Sequence, residues 1–303
     1  MEAKKVKLLD LLSAYVVNPP TIARESSDSN YPSSLSIKYI NSYGESEIIG
    51  GCNRSNFYRR RGDTKTDKNE MPNILVMDTG KSVEETVVDY LKCMGIWRGN
   101  NVKFYDKIYN VAGEVDVFVE LNGELVLVEL KTGYGEYFDK DVLGVSYKKK
   151  IADGYPKIEH IIQTAPYLEK YKTVTKELHL IYFNRGNFIY PNEFVLTLNK
   201  EGVVCVNGNP SVVTLRLIRE RILELEDHIE QGKIPPRDYE LRYSAEKAKK
   251  LLDTKRKTEY WYNNAWKKGK GIGGDFQCSY CDYRSKCHEL KDNEIKINKP
   301  KEK

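Results

Sequence analysis

Residues 112–133, AGEVDVFVELNGELVLVELKTG, constrain the fold more than any other stretch of this chain. Two β-rich runs, EVDVFVEL and ELVLVELK, flank LNGE, where Gly123 suits a hairpin turn. A third β-rich run, KFYDKIYN, precedes them, and residues 81–94 before it carry Val83, Val87, Val88 and Leu91 at helical spacing. After the hairpin, Ile158, Ile161, Ile162, Ala165 and Leu168 predict a helix over 156–172. ELHLIYFNR, FIYPNEFVLTL and GVVCV then read as strands. Residues 211–231 form the strongest amphipathic pattern (Val212, Leu215, Ile218, Ile222, Leu225, Ile229), ended by Gly232 and Pro235-Pro236. The order helix, three strands, helix, strands predicts an α/β fold with a mixed central sheet flanked by helices.

The remaining segments are less patterned. Residues 6–16 read as a short amphipathic helix stopped by Pro19-Pro20, and 24–47 show no clear period. CNRSNFYRRRG, from Cys52, reads as a polar, basic loop or short helix, and a charged helix covers about 239–254. The Lys-rich tail from Asp292 is expected to be disordered. These breaks divide the chain into residues 1–79 with the first candidate cluster cysteine, a core over 80–210, C-terminal helices and cysteines over 211–291, and a tail over 292–303. No apolar run approaches membrane-spanning length, which predicts a cytoplasmic protein without a membrane partner. The formal charge of +5 permits nucleic-acid binding, and Tyr and Trp among Lys and Arg suit base stacking, although most aromatics are expected in the core.

Side chains alternate across a strand, so Glu129 and Lys131 point to one face, and the hairpin sets Asp116 beside them. Two carboxylates and a lysine on one sheet face make a hard oxygen site for Mg²⁺ or Mn²⁺. The plainer reading of so short a pattern is a solvated strand face with an ion pair. The surroundings favour chemistry. GEVD, a hairpin and VELKTG together resemble the PD-(D/E)xK restriction-endonuclease-like nuclease core, in which Asp, Glu and Lys form the metal site. Gln163 and Tyr167, one helical turn apart, resemble the Q-x3-Y signature of its RecB-like branch.

Six cysteines occur, and three are clustered as Cys278-x2-Cys281-x5-Cys287. Reduced intracellular thiols in such a cluster suggest metal ligands. Cys93 and Cys205 lie in apolar patterns and are expected in the core. A lone upstream Cys52 with the C-terminal trio resembles the arrangement in Cas4- and AddB-type nucleases. There, four Cys hold a 4Fe–4S cluster that clamps the helical termini. CNRSNFYRR matches that family's C-x-R-x3-Y element at Cys52, Arg54 and Tyr58. Spacing alone leaves Zn²⁺ open, on these four thiolates or on Cys278, Cys281, Cys287 and His288.

The family's helix before the Asp carries G-x3-H-E; here Gly80 and Glu85 are in place and Glu84 replaces the His. The resemblance implies Asp116, Glu129 and Glu84 as metal ligands, with the backbone carbonyl near Leu130. It also implies Lys131 beside the attacking water, and Gln163 and Tyr167 as positioning residues. Arg54, Arg59, Arg60 and Arg61 are candidates for phosphate contacts, or a solvated loop. The expected activity is metal-dependent hydrolysis of DNA, as an exonuclease on single strands or ends. Partners in recombination, replication or CRISPR adaptation would fit it. One alternative trims DNA only within an integrase complex; another is a non-catalytic DNA-binding module.

Overall fold

The computed structural model describes residues 28–67, 71–147, 149–186 and 190–289. The helix expected at 6–16 and the tail from Asp292 lie outside them. The chain divides into two compact units: Met1–Gly50 with Glu70–Glu226, and Gly51–Asn69 with Asp227–Lys303. No helix among the described residues is long and apolar enough to cross a membrane.

The first unit is built on a seven-stranded mixed sheet. Its strands are β3 (Trp97–Asp106), β4 (Val111–Leu121), β5 (Glu124–Gly133), β8 (Glu177–Asn184), β9 (Asn192–Leu198), β10 (Val203–Val206) and β11 (Asn209–Thr214), in the spatial order β11-β10-β9-β8-β5-β4-β3. β4 and β5 form the expected hairpin, Val117 opposite Val128, with Gly123 at φ +83°. β5 runs parallel to β8, with Lys131 beside Tyr182, and the other neighbours are antiparallel. A parallel pair needs a crossover, and α3 (Ile158–Tyr171) supplies it. Ile161, Ile162, Ala165 and Leu168 of α3 bury against one sheet face with Leu127 and Leu180. On the other face, Val87, Val88 and Leu91 of α2 (Met71–Cys93) pack on Val126, Val128 and Leu130. Strands covered on both faces are apolar on both, which is why β5 reads as an almost continuous hydrophobic run.

Several expectations are corrected. Residues 24–47 hold most of a two-stranded antiparallel sheet, β1 (Ser36–Ile40) and β2 (Ser46–Gly50), turned by Asn41, whose side-chain oxygen accepts from Tyr43 and Glu45 backbone N–H groups. Such short polar strands leave little alternation to read. Two-residue strands β6 (Val145–Ser146) and β7 (Lys149–Lys150) were likewise invisible. The helix α4 starts at Leu215, not 211, and runs to Glu230. Val212 belongs to β11 and is 43% exposed; its apparent helical phase is coincidental, and Thr214 Oγ1 accepts the Leu217 N–H at 3.1 Å at the true start. β3 ends at Asp106, so the second half of KFYDKIYN is a turn. Cys93, at the end of α2, is exposed rather than in the core, whereas Cys205 is buried.

In the second unit, Cys52 precedes α1 (Asn53–Arg60), and Asp238 accepts the Asn53 N–H at 2.7 Å, satisfying an N-terminal donor of that helix. The charged helix is α5 (Ala245–Asp253), capped by Ser244. A π-helical turn, Trp261–Lys267, and short helical turns at Phe276–Ser279 and Arg284–His288 follow.

Candidate metal and cluster centres

Hairpin register sets the carboxylates. The β4–β5 ladder ends at Val117 opposite Val128. One step further Asp116 faces Glu129, and the Asp116 Oδ2 accepts the Leu130 backbone N–H at 2.8 Å. The strands part here because a side chain, not a backbone carbonyl, takes that donor. Leu130 itself is buried, and its role in the site is through this backbone. Glu129 and Lys131 share the α3 side of the sheet with Leu127. The Lys131 Nζ donates to Glu129 Oε1. From α3, Gln163 Nε2 donates to the same oxygen at 2.6 Å and lies 3.4 Å from the Tyr167 hydroxyl. Tyr167 is fully buried and set edge-on to Phe104, ring centroids 5.5 Å apart.

Glu84 joins from α2. Gly80, one turn earlier, lets that helix approach β5; a Cβ there would stand 3.2 Å from Thr132 Oγ1. Glu84 is half-buried and within electrostatic reach of Asp116 and Lys131, while Glu85 is exposed. Burial, then the Asp116 charge, raises the Glu84 carboxyl to about 7. Burial also raises Asp116 and Glu129, against the Lys131 charge, which favours their ionised forms. Desolvation opposes the Lys131 ammonium, yet the Glu129 and Asp116 charges win and its pKa is raised.

The Oε2 of Glu129 is wholly buried without a hydrogen-bond partner among the described residues. A buried, unsatisfied carboxylate oxygen is costly. Facing a cluster of three raised acids, it fits a divalent cation, with Glu84, Asp116 and Glu129 as hard oxygen donors. No trio of His, Cys, Asp or Glu side chains among the described residues is already drawn up around a common ion position.

His160 and Tyr182 were not anticipated. His160 lies one turn before Gln163 on α3; its Nδ1 is 2.8 Å from the Tyr182 hydroxyl, and the rings stack at 5.5 Å. Burial, then the Lys131 and Lys157 charges, hold this imidazole well below its usual pKa, so it is neutral. The three-residue spacing to Gln163 was the available signal. The partner on β8 was not, since that contact depends on how α3 crosses the sheet.

In the second unit, Cys52, Cys278, Cys281 and Cys287 line one pocket together with Ser55, Tyr58, Tyr283 and His288. Cys93 and Cys205 are absent from its lining. Burial pushes the Cys52 thiol up to about 12, with Asp238 and Cys281 adding to it. Cys278 is raised by burial, then by Cys52 and the other thiols of the set. Four thiols lining one pocket fit a cationic cluster or ion among them. His288 Nε2 lies 3.6 Å from Cys278 Sγ, so the His-containing ligand set occupies the same pocket. Asp67 fastens it. Its carboxylate accepts from the Ser285 N–H at 2.8 Å and the Ser285 hydroxyl at 2.9 Å, and pairs with Arg284 at 3.0 Å. Tyr58, buried, tilts against Tyr283 at 5.5 Å.

The arginines of α1 belong to this unit. Arg54 donates to the Pro235 carbonyl at 2.7 Å, and Arg61 lies over Phe57 and 3.9 Å from Asp63. Arg59 and Arg60 are half-buried. Arg54 is thereby committed to the fold around the cysteines.

No protein-family model and no curated protein matches the chain. Among solved structures, one titled "Crystal structure of SSO0001" aligns with 76% of this chain and 89% of its own, at 13% identity and a TM-score of 0.42.

Proposed function

We propose that the protein is a metal-dependent DNA nuclease of the PD-(D/E)xK type, acting on single strands or ends, with a structural iron–sulfur cluster held by Cys52, Cys278, Cys281 and Cys287. The observation that carries the reading is the buried Glu129 Oε2, lacking a hydrogen bond, beside Asp116 and Glu84. A Mg²⁺ or Mn²⁺ ion held by these carboxylates would lower the pKa of a water and neutralise charge on a phosphate. The chain's own residues do the rest. Lys131, held by Glu129, supplies positive charge where the phosphodiester oxygens gain negative charge. Gln163 fixes the Glu129 carboxylate at the same oxygen as Lys131, and Tyr167 backs Gln163. The cluster's role is to tie the Cys52 segment to the C-terminal trio, not redox chemistry.

The test is incubation of a single-stranded oligonucleotide, labelled at either end, with purified protein and Mg²⁺ or Mn²⁺. Stepwise shortening that chelator stops supports the reading. Intact DNA under every metal condition, with the cluster loaded, overturns it.

A further inference from the structure

We infer that Tyr243–Lys270 of the second unit is a preformed binding platform for single-stranded DNA, separate from the carboxylate site. That its polymer is DNA rests on the nuclease reading above. Residues 240–270 hold ten Lys and Arg against four Asp and Glu, a net +6, which exceeds the +5 of the whole chain. Among the described residues no ion pair engages Lys257, Lys267, Lys268 or Lys270.

The aromatic residues are fixed rather than merely present. Trp261 Nε1 donates to the Ile272 carbonyl at 3.0 Å, and Trp266 Nε1 to the Tyr243 carbonyl at 2.9 Å. The Tyr243 hydroxyl donates to Asp275 at 2.6 Å, and Asp275 also accepts the Glu240 N–H at 2.7 Å. Gly274 permits the close chain crossing, since a Cβ there would meet the Glu240 carbonyl oxygen at 2.3 Å. Tyr262 stacks on Trp266 with centroids 5.1 Å apart and planes 16° apart, and Tyr260 beside them is 78% exposed. Cations sit over the rings: Lys267 on Tyr262, Lys257 on Trp261 and Arg242 on Trp266.

A small local core explains Tyr243, Ala248 and Leu251, which are buried, and Trp261, Tyr262 and Trp266, which pack partly buried against it. It does not explain an exposed Tyr260 and unpaired lysines on the same turn. An exposed Tyr260 beside held aromatic rings and lysines without ion pairs among the described residues matches a strand whose bases are unstacked and whose phosphates run alongside. A duplex hides its base faces and would use only the lysines. Asp275 immediately precedes the turn that bears Cys278, so the platform is continuous with the cluster segment.

The experiment measures anisotropy of a fluorescent 20-nucleotide oligo-dT with full-length, cluster-loaded protein in EDTA, where cleavage is silent, across salt concentrations. Tyr260→Ala and Tyr262→Ala should each weaken binding by about 5- to 100-fold, the range for losing one base stack. Lys267→Ala/Lys268→Ala/Lys270→Ala should lower the slope of log affinity against log salt by about 2, from about 0.7 for each phosphate that a lysine no longer neutralises. Tyr262→Phe should bind as wild type, and unchanged visible absorbance would show that the variants keep the cluster. The proposal is overturned if the triple lysine variant and both alanine variants bind within twofold of wild type, if wild type does not bind, or if duplex binds more tightly than the single strand. If wild type binds but never cleaves with Mg²⁺ or Mn²⁺, the nuclease reading fails and the platform stands. If wild type cleaves and the variants bind normally, the platform alone fails.

Discussion

Gln163 Nε2 donates to Glu129 Oε1 at 2.6 Å, joining α3 to the centre of the sheet at the buried carboxylate. The hydrogen bond leaves Oε2 as the Glu129 oxygen without a hydrogen-bond partner among the described residues. Gln163→Ala should lower the rate of metal-dependent cleavage by about 10- to 100-fold, the range for losing a partner that orients a ligand. Folding should be retained, because Gln163 is only half-buried. Gln163→Glu should be worse, since it sets a second carboxylate against Glu129. Single-turnover rates for the two variants check this; equal rates for wild type and Gln163→Ala contradict it.

The phase of α2 gives a second prediction. Glu84 faces Asp116 and Glu85 faces solvent. Glu84→Ala should reduce cleavage about 100-fold or more, Glu85→Ala less than about threefold, as for removal of a metal ligand against a surface change. Glu84→His should keep activity with a shift toward Mn²⁺, the softer of the two ions. Rates across titrations of both metals decide it. An inactive Glu85→Ala with an active Glu84→Ala would place the other residue in the site.

The raised carboxyls predict an unusual stability profile. Unfolded, Glu84 and Glu129 ionise in the ordinary range of about 4 to 4.5; folded, Glu84 is at about 7 and burial raises Glu129 as well. Over that interval the native state binds more protons than the unfolded state, so stability falls as pH rises. His160, held below its usual value, acts in the opposite direction but is spent above about pH 6.5. The metal-free protein should therefore melt lower at pH 8 than at pH 6.5. Mg²⁺ should recover more at pH 8, where the acids are ionised. Glu129→Gln, which removes one of the raised acids, should flatten the slope. Thermal melts in chelator measure it; a melting temperature that rises from pH 6.5 to 8 is the contrary result.

The proposed iron–sulfur cluster makes a fourth prediction. Protein prepared without oxygen should be brown and contain iron. Cys52→Ser should lower iron as much as Cys278→Ser, because both thiols line one pocket. Cys93→Ser and Cys205→Ser should leave iron unchanged. Asp67→Ala, which strips the cap from Ser285 and the partner from Arg284, should speed cluster loss and lower the melting temperature. Zinc in place of iron under anaerobic handling, lost in a His288→Ala variant, would favour the rival ligand set.

The parts of the site that were legible in the sequence are those set by short-range periodicity. Asp116, Glu129 and Lys131 followed from period-two alternation and a glycine turn, both local. Glu84 came from the resemblance to the G-x3-H-E element, and Val83, Val87, Val88 and Leu91 only fixed the helix phase that sets it beside the buried stripe. His160 was hidden because its partner Tyr182 lies on another strand, 22 residues away. Asp67 was hidden because it meets Ser285, 218 positions further along the chain. β1 and β2 escaped for a different reason: neither alternates, since Ser36 and Ile37 of β1 are buried in succession and Glu47 to Gly50 of β2 are half-buried in succession. Val212 misled because a strand residue fell by chance on the helical period of α4. For His160 and Asp67, local pattern could not say what they touch, because long-range packing decided it.

The most direct measurement of the central claim pairs Mg²⁺ binding by calorimetry with cleavage of single-stranded DNA, for wild type, Asp116→Asn, Glu129→Gln and Lys131→Ala. Wild type should bind the ion and cut. Asp116→Asn and Glu129→Gln should lose both binding and cutting, while Lys131→Ala should still bind Mg²⁺ and cut at least about 100-fold more slowly, as expected when a transition-state charge partner is removed. Wild-type cleavage by either carboxylate variant, with its fold and cluster intact, would contradict the account.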